Sequence, residues 1–284
     1  MVRSYFKLNQ FPKESLNNII QAKLNKINKK KPKSVKLIKK YLDSFFNTQF
    51  QGLALDFDGT LIPINDRYKS IESYILRKLI SLNQQFIPIF ILTGRGKSIF
   101  DQVPLEKFEH KKLLIIAQYN GGRIRFGNNE LINEKKIIYI KNYSKVKEFL
   151  DENKIQYLEK VSGFVCQGSF EDYNLFNTIS KKFRNWSVLD TKYSFDVLPS
   201  NISKGSALKE SCKLFPNLNK NSILKIGDSG DINGNDYSFL KMKNSFSVGD
   251  YTLDMRTNFP IIDENNIHLK GPEGVKYLFS YLSL

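Results

Sequence analysis

The chain has 284 residues, of which 41% are hydrophobic, so it is long enough for a large core and for two domains. The formal net charge of +16 is uneven, because residues 1–50 hold 12 basic residues against 2 acidic ones. The two cysteines do not indicate a disulfide framework. No apolar run of signal-peptide or membrane-spanning length is present, which favours a cytoplasmic protein without a membrane partner.

The basic residues 1–50 predict a helical N-terminal arm. Apolar residues recur at helical spacing over 16–27 and again over 35–46, and a lysine-rich run with Pro32 separates the two patterns. The apolar faces favour two helices packed on the main domain, with the lysines in solvent. The alternative is an arm that binds nucleic acid or an anionic membrane surface.

From residue 52 onward, strands and helices alternate. Apolar runs at 52–57, 86–92 and 113–117 predict buried strands, and residues 71–82 predict the helix between the first two. This β-α-β-α-β order indicates an α/β fold built on a doubly wound parallel sheet. In such sheets ligands bind beyond the carboxyl ends of the strands.

Polar residues follow the first two strands at these ends. Asp56 and Asp58 are two residues apart, so an extended chain would point both carboxylates to one side. Such a pair suits Mg²⁺, a nucleophile or a general acid/base, although solvated acids at a strand end are the simpler interpretation. Thr93 and Gly94 suit a phosphate oxygen, and the alternative for Thr93 is a helix cap.

Residues 120–199 predict a small inserted domain of mixed α and β structure. A hairpin is expected over 123–126 and 130–132 around a glycine-asparagine turn. Further elements expected in this insertion are a helix near 146–150, a strand at 164–166, a helix over 173–183 and a strand at 194–198. The segment has the size of a small domain and carries no catalytic motif of its own.

The main domain resumes near Lys204, which would lie at the N-terminus of a helix. A lysine there gains nothing from the helix dipole, so it is either solvated or a point charge for a phosphate. A strand at 223–226 then runs into Gly227 and Asp228, followed by a glycine-rich acidic loop. The loop lacks the terminal glutamate and flanking helices of a calcium-binding EF-hand.

Four segments, in this order, resemble the haloacid dehalogenase superfamily of phosphohydrolases. They are DFDGT at 56–60, LTGR at 92–95, SKG at 203–205, and GD at 227–228 with ND at 235–236. The insertion between the second and third segments resembles the cap of the Cof-type subgroup, which is similar to sucrose-phosphate and trehalose-phosphate phosphatases. NGG at 120–122 and FDVLP at 195–199 are similar to the beginning and end of such caps.

The resemblance covers about residue 52 to the C-terminus and implies a Rossmann-like core of residues 51–119 and 200–284 with an α+β cap of residues 120–199. Residues 1–50, the helical arm predicted from the apolar spacing, precede it. The resemblance implies that Asp56 is the nucleophile, and that Asp58 protonates the leaving group and then activates water.

The resemblance also implies a Mg²⁺ cofactor and a phosphate site. The residues implied for Mg²⁺ are Asp56, Asp58 through its backbone carbonyl, and Asp228, and those implied for the phosphoryl oxygens are Thr93, Gly94 and Lys204.

The fourth segment departs from the family, because residues 231–234 separate its two halves. We interpret these residues as an inserted loop, so that Asp236 supports the metal and Asn235 contacts the phosphate. The opposing interpretation gives the metal to Asp231 and makes Asn235 and Asp236 a helix cap.

The expected function is Mg²⁺-dependent hydrolysis of a small phosphorylated metabolite, with a sugar phosphate favoured. Alternatives are a nucleic-acid end phosphatase that uses the basic arm, a sugar phosphomutase, or a non-catalytic member of the fold. The cap would obstruct a polymer, which disfavours nucleic acid, and the intact acidic residues argue against a non-catalytic role.

Overall fold

The computed structural model describes residues 4–27, 32–168, 173–191 and 194–283. The strands, in chain order, are β1 Lys7–Leu8, β2 Gly52–Asp56, β3 Ile89–Leu92, β4 Leu114–Gln118, β5 Arg123–Phe126, β6 Leu131–Glu134, β7 Tyr157–Lys160, β8 Gly163–Cys166, β9 Trp186–Asp190, β10 Phe195–Pro199, β11 Ile223–Ser229, β12 Ser245–Asp250, β13 Phe259–Pro260 and β14 Leu282–Ser283. The α-helices are α1 Lys13–Ile27, α2 Pro32–Phe46, α3 Ser73–Gln84, α4 Tyr143–Glu152, α5 Tyr173–Lys182, α6 Lys204–Cys212, α7 Tyr237–Leu240 and α8 Gly271–Ser280.

One large sheet forms the core, with the spatial order β13-β12-β11-β2-β3-β4-β5-β6. The strands from β13 to β4 pair in parallel, and β5 and β6 add an antiparallel hairpin at one edge. This confirms the α/β class and the parallel core predicted from the sequence. A second, antiparallel sheet with the order β7-β8-β10-β9 carries α4 and α5 and forms the cap.

Both faces of the large sheet are covered, because successive strand residues point to opposite sides. In β2, Leu53 and Leu55 pack in the cluster that contains α1, α2, α3 and α8. Ala54, between them, packs in the cluster that contains α6 and α7. The continuous apolar run of β2 therefore reflects burial on both faces, as expected for a central parallel strand.

The N-terminal arm packs against the core. Its apolar residues belong to the same buried cluster as the sheet and include Ile19, Leu24, Ile38 and Leu42. One lysine departs from the expectation that the lysines lie in solvent. Lys23 is fully buried, and its Nζ donates to the backbone oxygens of Thr252, Asp254 and Thr257 at 2.7, 2.8 and 3.0 Å.

The hairpin of β5 and β6 belongs to the large sheet, which corrects its expected position in the insertion. β5 pairs antiparallel with β4, and Ala117 lies opposite Ile124. Tyr119 and Asn120 adopt positive φ angles of 52° and 54°, so the chain turns straight back along β4. The division into domains stays a prediction, and this pairing moves the expected start of the cap from residue 120 to the end of β6.

Strand β3, predicted from the apolar run at 86–92, is shorter than the sequence indicates. It begins at Ile89 instead of residue 86, because Phe86 adopts a positive φ of 60° and Pro88 has no N–H for the sheet ladder.

Among the described residues, no helix combines the length and the apolar character needed to cross a bilayer.

Candidate active site

Two carboxylates meet where β2 and β11 end, because these neighbouring strands run parallel. Asp56 is the last residue of β2, and Asp228 lies near the end of β11. Gly59 follows in the first loop with a φ of 77°, and a Cβ at this position would lie 2.4 Å from Asp228 Oδ2. Glycine therefore provides both the backbone conformation and the space for the second carboxylate.

A third carboxylate, that of Asp236, completes a buried cluster. One oxygen from each of Asp56, Asp228 and Asp236 lies within 4.8 Å of the other two. Lys204 enters the cluster from α6, and its Nζ donates to Asp56 Oδ1 and to Asp236 Oδ1 at 2.5 Å each. The other oxygen of Asp56 accepts from Thr60 Oγ1 at 3.0 Å. Lys204 therefore pairs with two of the three carboxylates of the cluster.

The electrostatics of the cluster follow from burial. Burial and the charges of Asp236 and Asp228 raise the pKa of Asp56 well above its usual range, and Lys204 offsets part of this rise. Burial alone would lower the pKa of Lys204, but the charges of Asp236 and Asp56 outweigh it and raise that pKa above its ordinary value. Lys204 is therefore charged at neutral pH and buried rather than solvated.

Asp236 lies in the cluster, whereas Asp231 is exposed. Asp236 Oδ2 accepts from the backbone N–H groups of Asp228 and Ser229 at 2.9 and 3.1 Å. Asp236 occupies the N-cap position of α7, but its side chain makes no cap hydrogen bond there. Asn235 is half-buried, and its Oδ1 has no hydrogen-bond partner among the described residues.

The inserted loop at 231–234 contacts the cap. The backbone N–H of Asp190, at the end of β9, donates to the carbonyl oxygen of Asn233 at 3.3 Å, and Asp190 also forms a parallel bridge with Gly234. The loop therefore bridges the two sheets beside the carboxylate cluster.

Asp58 lies outside the carboxylate cluster, and its carboxylate is held by arginine. Arg95 donates from Nε to Asp58 Oδ2 at 2.8 Å and from Nη2 to Asp58 Oδ1 at 2.6 Å. Arg95 is itself buried, and its Nη2 also donates to the backbone oxygen of Arg67 at 2.5 Å. Sequence reasoning gave Arg95 no role. The available signal was an arginine two residues beyond Thr93, at the end of a strand next to that of Asp58.

Thr93 and Gly94 lie at the end of β3, next to the end of β2. Thr93 is buried, and its Oγ1 accepts from the backbone N–H of Arg95 at 3.0 Å. The following short 3-10 helix is capped at Gly96, so Thr93 does not cap it. Gly94 is exposed, and a Cβ added to it would lie in ordinary contact distance of the side chain of Asn120.

A buried pair joins the core to the cap, namely Asn120 after β4 and Asp196 in β10. Asn120 Nδ2 donates to Asp196 Oδ2 at 2.6 Å. Burial raises the pKa of Asp196 to about 6, and the hydrogen bond from Asn120 with the charges of Lys204 and Arg67 offsets part of the rise. Sequence reasoning named both residues only as marks of the cap boundaries. The signal for Asp196 was an acid inside an apolar strand.

The comparisons agree with this geometry. A family model described as haloacid dehalogenase-like hydrolase matches residues 53–185, which include the first two motifs and most of the cap. Residues 53–185, just under half of the chain, are thus similar to the haloacid dehalogenase-like hydrolases. This match supports an enzyme of the hydrolase class. A search of curated protein sequences found no match.

Solved haloacid dehalogenase-like (HAD) structures share the fold. A HAD/COF-like hydrolase of Plasmodium vivax aligns with a TM-score of 0.64 at 16% identity, over 86% of this chain and 98% of its own. BT1666 of Bacteroides thetaiotaomicron, described among HAD phosphatases, aligns with a TM-score of 0.62 at 15% identity, over 82% and 94%. BT4131, described as a HAD subclass IIB sugar phosphatase, aligns with a TM-score of 0.57 at 18% identity, over 72% and 90%. These likenesses concern the fold.

Proposed function

We propose that this hydrolase is a Mg²⁺-dependent phosphatase of small phosphorylated metabolites, with a sugar phosphate as the favoured substrate class. The observation that carries the proposal is the buried cluster of Asp56, Asp228 and Asp236 around Lys204. It lies at the carboxyl edge of a parallel sheet, where α/β folds bind ligands. The sugar phosphatase among the structures of the same fold supports the substrate class.

The donor set fits a hard divalent cation. It consists of three carboxylate oxygens that lie within 4.8 Å of one another, and a hard cation prefers such oxygen ligands. Asp56, Asp228 and Asp236 would hold the cation, and the backbone carbonyl of Asp58 stays a predicted ligand. When bound, Mg²⁺ would neutralise charge on the phosphoryl oxygens.

The side chains provide the remaining chemistry. A carboxylate oxygen of Asp56 attacks phosphorus, the bond to the leaving oxygen breaks, and Asp58 gives that oxygen a proton. Asp58 then takes a proton from water, whose oxygen attacks the phosphorus and releases Asp56 and inorganic phosphate. Arg95 holds the carboxylate of Asp58 in place through two nitrogen atoms. Thr93, Gly94, Lys204 and Asn235 are the proposed contacts of the phosphoryl group.

The proposal includes a cytoplasmic location and a small-molecule partner. Cys166 and Cys212 are both free thiols, which suits a reducing compartment. Nucleic-acid end hydrolysis and phosphomutase activity stay predictions from the sequence.

The decisive experiment is a hydrolysis panel of sugar phosphates, nucleotides and end-phosphorylated oligonucleotides, measured with Mg²⁺ and with excess chelator. We expect wild-type turnover of a small ester that chelation abolishes. Asp56→Asn should lower kcat by several orders of magnitude, because it removes the nucleophile. Asp231→Asn is the matched control, because it makes the same change on an exposed loop residue.

Two results would contradict the proposal. One is a folded Asp56→Asn protein that keeps wild-type turnover. The other is full activity after complete metal removal. Preferred turnover of oligonucleotide ends would favour the nucleic-acid alternative, and transfer of the phosphoryl group to a second hydroxyl would favour a mutase.

A further inference from the structure

The boundary between core and cap contains a buried polar atom that no described residue satisfies. Asn120 is 2% exposed, and its Oδ1 has no hydrogen-bond partner among the described residues. Buried amide oxygens in folded proteins are nearly always hydrogen-bonded, so an unpaired one next to a candidate active site points to a ligand.

The orientation of the Asn120 amide is fixed by its neighbours. Its backbone N–H donates to the carbonyl oxygen of Thr93 at 2.9 Å, which ties it to the second motif. Its Nδ2 donates to Asp196 Oδ2, because an ionised carboxylate only accepts. Oδ1 therefore points away from Asp196, and it lies 3.5 Å from the place that a Cβ of Gly94 would occupy.

Asn120 and Asp196 therefore offer hydrogen-bond acceptors beside Gly94, which is one of the proposed contacts of the phosphoryl group. Asn120 provides a carbonyl oxygen and Asp196 a buried carboxylate, so the complementary ligand group is a donor. Arg67, Lys160 and Lys204 all lie close enough to lower the pKa of Asp196. Lys204 and Arg67 already form ion pairs with other carboxylates, so a neutral hydroxyl is the donor that adds no unpaired charge to the site.

We propose that Asn120 and Asp196 form a hydroxyl-binding subsite for the leaving group, so that the preferred substrate carries a hydroxyl on a carbon near the phosphoester. This inference rests on the proposed phosphatase function and narrows its substrate to phosphorylated polyols and sugars. A site built to hydrogen-bond a hydroxyl rejects the analogue that lacks it, because its buried polar groups are then left unpaired.

The test compares kcat/KM for glycerol 3-phosphate and propyl phosphate, which share a three-carbon skeleton and differ in the hydroxyl groups. We expect the wild-type enzyme to prefer glycerol 3-phosphate by about 100-fold or more. Asp196→Asn should lower this preference by about 10-fold, because a neutral amide replaces the charged acceptor. The asparagine at position 196 can still accept the hydrogen bond from Asn120, so the contact between core and cap is retained.

The matched control is Asp151→Asn, the same substitution at an exposed residue of the cap. It should leave the substrate preference at the wild-type value, and unfolding midpoints should verify that both variants are folded.

The outcomes separate the inference from the proposed function. Wild-type hydrolysis of both esters with equal kcat/KM would overturn the subsite and leave the phosphatase standing. An equal loss of kcat/KM on both esters in Asp196→Asn would also overturn the subsite, because Asp196 would then stabilise the structure without binding the hydroxyl. If the wild-type enzyme hydrolyses neither these esters nor p-nitrophenyl phosphate, the phosphatase function itself fails, and the subsite with it.

Discussion

Lys204 is the residue on which the charge balance of the candidate site depends. Its side chain is 1% exposed and contacts the carboxylates of Asp56 and Asp236. Removing one partner of a buried ion pair leaves an uncompensated charge, which is more costly than losing the pair itself. The lysine thus fixes two acids at one point before any substrate arrives.

The same charge balance yields a prediction for the fourth motif. Asp236→Asn should weaken Mg²⁺ binding by about 10–100-fold, since Asp236 lies in the cluster and orients the end of β11, which carries Asp228. Asp231→Asn should leave the Mg²⁺ affinity near the wild-type value, because Asp231 is exposed. Titration calorimetry of the two folded variants measures this. The reverse pattern would show that the inserted loop was aligned wrongly.

At the scale of elements, α1 is held to the core by more than apolar contacts. The ammonium group of Lys23 reaches three backbone oxygens in the segment between β12 and β13. It also lies 5.3 Å from the ring centroid of Phe259, within the range of a cation–π contact. A buried lysine with three acceptors can anchor a helix at one defined position.

We predict that Lys23→Met lowers the free energy of unfolding by about 3 kcal/mol, because the methionine leaves buried carbonyl groups without their donor. Lys39→Met is the matched control on α2, where the lysine is exposed, and should change stability by less than about 0.5 kcal/mol. Urea unfolding measures both values. Equal effects of the two substitutions would refute the anchoring role of Lys23.

At the scale of the whole molecule, the cap contacts the core at several places. One contact is the pair of Asn120 and Asp196, and another joins Asp190 to the inserted loop at Asn233. The first contact contains a titratable group, so the stability of this arrangement depends on pH.

The pKa of Asp196 is about 6 in the folded protein and 3.8 in a solvated chain. The folded state therefore binds more protons between these values, and the free energy of unfolding must fall as pH rises through this window. This change in pKa corresponds to a change of about 3 kcal/mol in the free energy of unfolding. We expect the stability of the wild type relative to Asp196→Asn to decline by up to this amount from about pH 4 to about pH 7. A constant difference in unfolding midpoints across this range would contradict the assignment.

The sequence by itself determined the features that depend on neighbouring residues. Apolar runs followed by Asp56, Thr93 and the pair Gly227 and Asp228 predicted buried strands and functional strand ends, because burial and turn formation leave a local pattern. The parallel order followed from the alternation of strands and helices. The predicted site residues Asp56, Asp228, Asp236 and Lys204 are brought together in the structure.

Only the tertiary structure decided which distant groups meet. Lys204 lies 148 residues from Asp56, and Asn120 lies 76 residues from Asp196. The hairpin of β5 and β6 has the same local pattern in either sheet, and its partner was selected by pairing with β4. Arg95 could equally have been a solvated loop residue by its sequence alone. These contacts depend on desolvation and charge pairing between segments that the fold brings together, and no local periodicity records them.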